Sequence, residues 1–587
     1  MSDHPKEKFS SRGVALEAGA VGRRRFIGAA GAAAAGALAA ASAPASAAAP
    51  AVPRWDGEFD VVVCGSGMAG MSSALFLRWQ GNSVLVLEKS GSLGGTTAKS
   101  GGWYWMPNNA AMQRAGMADP KPDFMKLVAR LSAPLTYSPG LPKLGLTDWQ
   151  YEMFEAFYDS AAPAAELLSD KGALPYHHPL EIVDYWAELP ENKAPKGRVL
   201  MPRGAEPYNG GQFAMRTLTA AARRDGVAIK TSHRVQALLR NARGDVVGVE
   251  ATTAEGATVR LRAKKAVLFA TGGFTHDAQL RRDYLGGAVV GGCAALSNEG
   301  DFLRICSTLG VQLTNMNHAW NVPVVLEKAL AREGSLWGTF SASGDSMVFV
   351  NKHGQRVVNE KLQYNEITRA FWPWDGPRQE FPNQVLVAVW DAQAQQNCAQ
   401  PRYGSFIVPP GQDDAHVISG ATRAELVRNI EARLAKYRDR INFSLAPEFA
   451  QNLDATIARY NGFARAGKDS DFGRGERPVE LMFNGPFKPS PESKNTTMQP
   501  LSDSGPFYAT LMGPGTLDTK GGPRTDTHGR VLGATGAPIP GLYGVGNCIA
   551  SASGPAYWAG GATLGPIVTF AYRAALALHQ EAVKGAA

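Results

Sequence analysis

The sequence of 587 residues predicts an α/β protein whose parallel sheet, with helices on both faces, is assembled from two separated stretches of the chain. Three observations lead to this prediction. Residues 58–90 carry a strand–loop–helix–strand pattern with a glycine-rich loop, residues 265–274 have the character of a buried strand, and amphipathic helices lie between that strand and a glycine-rich C-terminal segment. The sheet is therefore expected in residues 55–290 and 505–587, and residues 291–504 are expected to form an inserted α+β cap domain.

The inserted segment is predicted from its helical periodicity. Residues 431–440 and 449–467 place apolar side chains on one face at helical spacing. The Pro-, Gly- and Lys-rich stretch 468–500 is predicted to be an exposed connection.

The glycine-rich loop of the first unit predicts a dinucleotide site. The first strand, the helix and the second strand are expected at residues 61–63, 71–79 and 84–87, with the loop Gly65–Gly70 before the helix. Gly65 permits a tight turn, Gly67 lets the backbone approach a pyrophosphate, and Gly70 lets helix and strand pack closely. The helix N-terminus offers unpaired N–H groups to the phosphates. Glu88, which follows the second strand, would accept hydrogen bonds from a ribose.

Composition and cysteine spacing argue against several other classes of site. The five cysteines stand far apart, so the sequence has no C-x-x-C pair and no zinc-ligand spacing, and no metal site is predicted. The net charge is +8, but no basic run with interleaved aromatic residues occurs, so no nucleic-acid partner is expected.

The first 49 residues resemble an export signal. Arg23 and Arg24 precede Phe26 and Ile27, an Ala/Gly-rich run follows, and small residues around Ala47 suit a cleavage site. This pattern predicts a twin-arginine signal, the Tat export machinery as a partner, and a periplasmic or other extracytoplasmic location. A route that carries folded proteins suits a chain that loads a cofactor first.

Later segments favour FAD over NAD at the dinucleotide site. Small and hydroxylic residues fill 94–107 directly after the Glu88 strand, Val235 stands on a strand pair expected near an adenine edge, and the chain returns through Gly546–Asn547 to GPAYWAGGATLGP, the Tyr557 tract (residues 554–566). This order resembles the two-dinucleotide-binding-domain flavoproteins and, more narrowly, the succinate dehydrogenase/fumarate reductase flavoprotein superfamily. In that superfamily the last segment passes under the isoalloxazine ring.

The resemblance implies a Rossmann-like FAD-binding domain and a set of cofactor contacts. Gly560, Gly561 and Ala562 would let the backbone reach the flavin, and the helix from Thr563 would point its positive end at the N1–C2=O region. The predicted cofactor-binding residues are Gly65, Gly67, Met68, Ala69, Gly70, Glu88, Lys89, Gly95, Thr96, Thr97, Ser100, Gly101, Gly102, Val235, Thr271, Gly272, Gly546, Asn547, Gly560, Ala562, Thr563 and Leu564.

The Tyr557 tract departs from the dicarboxylate-binding pattern of the fumarate and succinate enzymes. Those enzymes carry H-T-M-G-G-like and N-R-L-G-G-like segments, whereas this sequence has TLDTKGG at residues 516–522 and AYWAGG at residues 556–561. Burying a dicarboxylate without paired cations would carry a prohibitive desolvation cost. The sequence therefore predicts a substrate that is neutral at its reacting end.

Three tyrosines resemble those of the 3-ketosteroid dehydrogenases. Tyr557 and Gly561 match a family tyrosine and a glycine four residues later, which hydrogen-bond a ketone oxygen through the hydroxyl and the N–H. Tyr364 ends GQRVVNEKLQY, which is similar to the family's G-x-R-F-x-N-E-x-x-P-Y with Gln363 in place of proline, and it would remove the α-proton. Tyr185, in DYWAELPENKAPKGR, would assist Tyr364.

The resemblance implies an FAD-dependent oxidoreductase that desaturates a cyclic ketone α,β to the carbonyl, most closely a 3-oxosteroid 1-dehydrogenase. Tyr364 would take the α-proton, the flavin N5 the β-hydride, and an external quinone or redox protein the electrons. A smaller ketone, such as an oxocyclohexane carboxylate, would use the same groups. Two other hypotheses stay open: a fumarate-reductase-like enoate reductase that uses Arg356 or Arg369, and a flavoprotein without catalytic activity.

Tryptophans near these segments fit either of two structural roles. Trp103, Trp105, Trp372, Trp374 and Trp558 could line a flat apolar pocket for a fused-ring ketone, or they could belong to the ordinary core. Their number alone does not separate the two.

Overall fold

The computed structural model describes residues 54–585, apart from residues 206–208, 341, 343, 399–404 and 485–493. The predicted export signal over residues 1–49 lies outside the described residues, so export stays a prediction. Among the described residues, no helix combines the length and the apolar character that crossing a membrane requires.

Strands and helices follow one another along the described chain. The helices are α1 (Met68–Trp79), α2 (Ala110–Arg114), α3 (Lys121–Ser132), α4 (Asp148–Asp170), α5 (Gly210–Arg224), α6 (Ala278–Tyr284), α7 (Asp301–Cys306), α8 (Leu326–Leu330), α9 (Tyr364–Arg369), α10 (Ala392–Cys398), α11 (Arg423–Ala435), α12 (Phe449–Ala466), α13 (Pro478–Asn484) and α14 (Leu564–His579). The strands are β1 (Gly57–Cys64), β2 (Val84–Leu87), β3 (Tyr104–Trp105), β4 (Tyr176–His177), β5 (Val199–Pro202), β6 (Ala228–Lys230), β7 (Arg234–Arg240), β8 (Val246–Thr252), β9 (Thr258–Phe269), β10 (Gly291–Gly292), β11 (Leu313–Thr314), β12 (Ala319–Val325), β13 (Met347–Val350), β14 (Leu386–Asp391), β15 (Ile418–Gly420), β16 (Phe507–Thr519), β17 (Gly522–Pro523), β18 (Arg530–Leu532) and β19 (Pro538–Gly544).

One sheet has a parallel core in the order β19–β9–β1–β2–β6. At one edge β18 pairs antiparallel with β19, and β7 and β8 extend from β9 as an antiparallel ribbon. The register aligns Val61–Cys64 of β1 with Val84–Leu87 of β2, and these residues are all buried. Because a parallel strand is covered on both faces, its sequence is a continuous apolar run. The predicted parallel sheet is confirmed.

The two faces of this sheet are covered by different elements. Val61 and Val63 pack against the apolar sides of α1 and α14. Val62 and Cys64 pack in a separate cluster with β8 and with Phe302 of α7. Helices therefore cover the first face, as predicted, whereas a ribbon shares the second face with a short helix.

The carboxyl ends of the parallel strands meet at one edge. β1 leads into the loop Gly65–Gly70, β2 into Glu88, β9 into residues 270–273, and β19 into the Gly546–Asn547 turn. Ligands of open α/β sheets bind in the crevice outside these strand ends. The segments that the sequence assigns to a cofactor thus lie together, at the edge where a ligand is expected.

A second, largely antiparallel sheet has the order β10–β16–β14–β13, with β12 and β15 also paired to β16. Helices α11 and α12 pack on it through a cluster that includes Ile430 and Ile457. Strand β16 begins after residue 505, so this sheet is not confined to the segment 291–504. The boundaries of an inserted cap domain stay a prediction.

The helix expected at residues 431–440 is displaced along the chain. Helix α11 begins at Arg423, because the hydroxyl of Thr422 accepts a hydrogen bond from the N–H of Glu425 and caps the first turn. It ends at Ala435, so the second half of the predicted helix is wrong.

The prediction of an exposed connection at 468–500 is wrong in part, because exposed and buried residues alternate along its described portion. Asp469, Arg474 and Glu480 are buried, and α13 lies in this stretch. Arg474 lies inside because its guanidinium pairs with Glu360 at 3.1 Å and donates to backbone carbonyls such as that of Met347. A polar composition therefore concealed a buried ion-pair cluster.

Candidate active site

A cavity lies at the carboxyl edge of the parallel sheet. The predicted cofactor residues that line it are Gly65, Gly67, Met68, Ala69, Glu88, Lys89, Gly95, Thr96, Thr97, Val235, Thr271, Gly272, Gly546 and Asn547. Sequence reasoning missed other lining residues, among them Ser66, His233, Asn298, Asp301 and Asp518. Ser66 stands at a variable position inside the Gly65–Gly70 loop, and the other four belong to segments without a glycine motif.

The cavity presents unpaired donors where a dinucleotide phosphate would need them. The N-cap residue of α1, Gly67, supplies no side-chain cap, and the N–H of Met68 donates to the Thr97 hydroxyl at 3.1 Å. The N–H groups of Ala69 and Gly70 make no hydrogen bond within the described part of the chain. A Cβ added to Gly67 would come no closer than 3.6 Å to a neighbour, the Thr97 hydroxyl, so this backbone is open. The buried hydroxyl of Thr271 also has no partner among the described residues. Open donors at a helix N-terminus suit a phosphate.

The Glu88 carboxylate is held in the cavity wall by local donors. Its Oε2 accepts from the N–H of Ser66 at 3.0 Å and from the Ser66 hydroxyl at 2.7 Å, and its Oε1 accepts from the N–H of Ser90 at 2.9 Å. A carboxylate has about four lone-pair sites, so Glu88 retains capacity to accept from a ribose. Lys89 instead pairs with Asp301 at 2.8 Å.

Some predicted cofactor residues lie outside this lining. They are Gly70, Ser100, Gly101, Gly102, Gly560, Ala562, Thr563 and Leu564. A Cβ on Gly70 would stand 1.9 Å from the carbonyl oxygen of Gly65, which supports the close helix–strand contact predicted for it. The segment of Ser100 and Gly102 contacts α5, where the Ser100 carbonyl accepts from the N–H of Gly211 at 2.9 Å.

A second cavity adjoins the first and is lined by Trp558, Thr563 and Pro566 of the Tyr557 tract. The two cavities share Gly546, Asn547 and Ile567 in their linings. Thr563 lines the second cavity, and its buried hydroxyl has no hydrogen-bond partner among the described residues. Because they share these lining residues, the two cavities lie side by side between the strand ends and the Tyr557 tract. A long dinucleotide with a ring system requires a site of this extent.

The three predicted tyrosines form one buried cluster, the tyrosine cluster (Tyr185, Tyr364 and Tyr557). The hydroxyl oxygens of Tyr185 and Tyr364 are 2.7 Å apart. The ring centroid of Tyr557 lies 5.2 Å from that of Tyr364 and 5.5 Å from that of Tyr185. Segments that are far apart in the chain therefore bring three phenols into contact.

Tyr364 is the first residue of α9, and that helix fixes it. The side chain of the next residue, Asn365, accepts from the N–H of Asn321 on β12 at 3.3 Å. The preceding Gln363 has φ −60° and ψ 139°, and a proline could adopt the same backbone conformation. The departure from the family pattern at this position therefore leaves the backbone before Tyr364 unchanged.

Tyr185 is held by the chain on both sides of it. Its N–H donates to the carbonyl of Trp558 in the Tyr557 tract at 3.1 Å. The neighbouring Asp184 belongs to a buried ion-pair group, the Arg198 cluster (Asp119, Asp184 and Arg198), with N–O distances of 2.5 and 2.7 Å. A loop residue is thus anchored as firmly as one in a helix.

Gly561 provides the second group expected to contact a ketone. Its φ is +87°, and a Cβ would stand 2.7 Å from the backbone nitrogen of Tyr104, so only glycine fits. Its carbonyl accepts from the N–H of Trp105 at 3.0 Å, whereas its own N–H has no partner among the described residues. The adjacent Gly560 approaches the cluster as well, since a Cβ there would lie 3.6 Å from the Tyr185 hydroxyl.

The electrostatics of the cluster favour neutral phenols. Burial raises the pKa of Tyr364 and of Tyr185 well above the usual value near 10. The two neighbouring tyrosines add to the shift of Tyr364, whereas for Tyr185 the proximity of Tyr557 adds to it and the hydrogen bond with Tyr364 opposes it. Burial raises the pKa of Tyr557 as well. At neutral pH all three hydroxyls can therefore act as hydrogen-bond donors.

Aromatic side chains that the sequence did not single out surround the cluster. Trp320 packs 5.0 Å from Tyr557, Phe340 packs 5.0 Å from Tyr364, and Phe483 packs 5.6 Å from Tyr185, all between centroids. The indole of Trp186 donates to the carbonyl of Tyr557 at 3.1 Å. No motif marked Trp320, Phe340 or Phe483, because only the fold brings them to the tyrosines, whereas Trp186 directly follows Tyr185 in the DYWAELPENKAPKGR segment.

The predicted tryptophans mostly lie elsewhere. Trp105 and Trp558 are buried with their centroids 5.4 Å apart in the core beside Phe157, and Trp374 is 54% exposed. Trp103 is the exception, since its ring packs directly on Gly560.

The two arginines of the alternative hypothesis are paired elsewhere. Arg356 donates to Glu360 and to Asp469, in each case at 2.7 Å. Arg369 is partly exposed, and it donates to the carbonyl of Pro555 at 2.7 Å. Both guanidinium groups therefore already have partners in the protein and are not free to bind a substrate carboxylate.

Comparisons with known proteins agree with this geometry. The chain matches the family described as FAD binding domain over residues 60–564. It is 31% identical to 4-oxocyclohexanecarboxylate 2-dehydrogenase of Sinomonas cyclohexanicum, over 88% of this chain and 92% of the relative. It is 30% identical to 3-oxosteroid 1-dehydrogenase of Mycobacterium tuberculosis, over 90% and 99% respectively.

A solved structure shares the fold. The crystal structure of 3-ketosteroid delta1-dehydrogenase from Sterolibacterium denitrificans, in complex with 1,4-androstadiene-3,17-dione, superposes with a TM-score of 0.74 at 24% identity. The match covers 89% of this chain and 99% of that one.

Proposed function

Because this chain belongs to the FAD-binding-domain family of flavoproteins, we propose that it desaturates a cyclic ketone between the carbons α and β to the carbonyl, as a 3-oxosteroid 1-dehydrogenase does. The protein uses FAD and is a dehydrogenase that acts on CH–CH bonds. The observation that carries the proposal is the tyrosine cluster, with the hydroxyls of Tyr185 and Tyr364 in contact and Tyr557 packed on both.

Residues of the two cavities fit the cofactor. The N-terminus of α1 would hold the pyrophosphate, Glu88 a ribose, and the Tyr557 tract with Thr563 the ring system. Bound FAD supplies the acceptor of a hydride. The part of the reaction left to the chain is to hold the ketone and to move one proton.

The Tyr557 hydroxyl and the Gly561 N–H would hold the ketone oxygen. Both are donors, both belong to one buried tract, and the N–H is unpaired within the described chain. Two donors aimed at the oxygen stabilise the negative charge that develops when the α-proton leaves. Neutral donors also match a neutral ketone, since they leave no uncompensated charge in a buried site.

Tyr364 would remove the α-proton, with Tyr185 as its partner. The 2.7 Å contact lets the Tyr185 hydroxyl donate to the Tyr364 oxygen and stabilise it as a phenolate. Burial opposes this by raising the pKa of Tyr364, and without substrate the contacts with Tyr185 and Tyr557 raise it further, so Tyr185 must act as the donor of the shared hydrogen bond when the proton leaves. The base is therefore expected to strengthen as the pH rises.

A smaller cyclic ketone is the second candidate substrate. The relative at 31% identity is a 4-oxocyclohexanecarboxylate 2-dehydrogenase. The ketone chemistry would be the same, but the carboxylate of such a ring would need a cation, and Arg369 at the end of α9 would have to leave the Pro555 carbonyl and Glu366 to supply it. We propose the steroid-type ketone first because the walls of the site are aromatic.

The test is anaerobic mixing of the FAD-loaded protein with single compounds while flavin absorbance is followed. A 3-oxosteroid and 4-oxocyclohexanecarboxylate separate the two candidate substrates, and succinate tests the dicarboxylate alternative. We expect bleaching by a cyclic ketone and none by succinate. Bleaching by succinate alone, or by none of the three, would overturn the proposal.

The electrons then pass to an external acceptor, which we propose is a quinone or a redox protein. We also propose export by the twin-arginine route, on the strength of Arg23 and Arg24. Replacing both by lysine should leave the protein inside the cytoplasm, as cell fractionation would show.

A further inference from the structure

A buried lysine lies beneath the Tyr557 tract. Lys520 directly follows β16 and is fully buried. Its Nζ donates to the carbonyl of Gly554 at 3.0 Å and to that of Ala556, and it lies 3.8 Å from the ring centroid of Trp320. It forms no ion pair with any carboxylate of the described chain. Burying an amine without an acid partner is costly, so its contacts call for an explanation.

The backbone carbonyls around Tyr557 are all held by donors from other parts of the chain. Lys520 takes those of residues 554 and 556, Arg369 that of residue 555, Trp186 that of residue 557, and the N–H of Tyr185 that of residue 558. Three of these donors belong to, or stand close to, the segments of Tyr185 and Tyr364. Lys520 alone comes from the second sheet, and it alone holds two carbonyls.

The same lysine also contacts the ring that packs on Tyr557. Trp320 has Nζ of Lys520 near its centroid and the ring of Tyr557 at 5.0 Å, inclined at 66°. One amine therefore restrains both the backbone before Tyr557 and the wall beside its ring. Burial, with Arg369 nearby, holds the pKa of Lys520 well below its usual range, and Glu366 opposes this shift. A neutral amine retains two N–H groups, which is the number that two carbonyls require.

We propose that Lys520 is a positioning residue for Tyr557, which holds the tract so that the Tyr557 hydroxyl and the Gly561 N–H converge on one ketone oxygen. The inference rests on the proposed function and adds a residue that touches neither the substrate nor the flavin. A displacement of about 1 Å in a group that contacts the substrate can cost about 100-fold in rate. Loss of both carbonyl contacts should have an effect of this kind.

The test is a double-mutant cycle of Lys520→Met and Tyr557→Phe, with the rate of anaerobic flavin reduction by the ketone that bleaches the wild type. Lys520→Met should bind FAD in full amount and reduce it about 10- to 100-fold more slowly. In the Tyr557→Phe background it should cause no further loss, because its effect passes through that hydroxyl. The control is Lys584→Met, another buried lysine, which donates to the backbone carbonyl of Lys265 and pairs with Glu581 at 2.8 Å, and its rate should equal the wild type.

Each outcome decides one point. Wild-type speed in Lys520→Met, or an equal slowing in both backgrounds, would overturn the positioning role. A wild type that no cyclic ketone bleaches would overturn the proposed function itself, and this inference with it. If Lys520→Met fails to retain FAD, Lys520→Gln, which keeps N–H donors, takes its place in the same cycle, where any slowing that it causes must vanish in the Tyr557→Phe background and an equal slowing in both backgrounds would overturn the role.

Discussion

The tyrosine cluster and the ion-pair clusters behind it are built from opposite kinds of group. The tyrosine cluster consists of neutral hydroxyls and aromatic rings, with all three tyrosines at most 4% exposed. Directly behind Tyr185 lies the Arg198 cluster, and four residues before Tyr364 lies Glu360, which pairs with Arg356 and with Arg474. Both ionic groups are almost completely buried.

This difference separates the group that contacts the substrate from the groups that hold it. A charge facing a neutral ketone would have to be desolvated without a partner, whereas hydroxyls and N–H groups need only a hydrogen bond. The buried charges are instead paired with one another in the ion-pair clusters next to the tyrosine cluster. There they fix the segments of Tyr185 and Tyr364 without entering the chemistry.

The largest effect is expected from Tyr364→Phe, which removes the proposed base from the tyrosine cluster. General acid–base catalysis contributes about 10²- to 10⁴-fold, so flavin reduction should slow by that factor while FAD stays bound. In the wild type the rate should rise with pH, because burial raises the pKa of Tyr364 and more phenolate forms as the pH approaches it. The variant should lose this rise, and a profile that still rises would remove Tyr364 from the role.

A substitution in the Arg198 cluster should lower the free energy of unfolding. Arg198→Met leaves Asp119 and Asp184 buried without their cation, which typically costs about 3–5 kcal/mol in free energy of unfolding. Chemical denaturation of the FAD-loaded protein measures this loss. Arg378→Met, which breaks an exposed pair with Asp375, is the control and should not change the denaturation midpoint. Equal midpoints for both variants would contradict a structural role of the buried cluster.

The fold, and the three tyrosines that the structure brings together, could be predicted because their signals are local. Buried parallel strands appear as apolar runs, the glycine loop has fixed spacing, and Tyr364 and Tyr557 each stand in a short motif. Trp320 and Lys520 could not be predicted, since their contacts join segments far apart in the chain. Arg474 was misjudged because its partner Glu360 lies more than a hundred residues away, and a polar stretch resembles a loop until its partner is known.

The smallest effect on the rate of flavin reduction is expected outside the tyrosine cluster and the ion-pair clusters. Trp374 was a candidate pocket residue in the sequence, but it is 54% exposed and packs on Phe381. Trp374→Ala should therefore leave the rate of flavin reduction unchanged. A tenfold loss would show that the substrate pocket extends further than the tyrosine cluster.

The central claim is that the Tyr557 hydroxyl holds the ketone oxygen together with the Gly561 N–H. The most direct test is the rate of anaerobic flavin reduction by Tyr557→Phe, measured with the ketone that bleaches the wild type. Loss of one such donor should slow the reaction by about 10²- to 10³-fold with FAD still bound. A Tyr557→Phe variant that reduces its flavin at the wild-type rate would contradict the account.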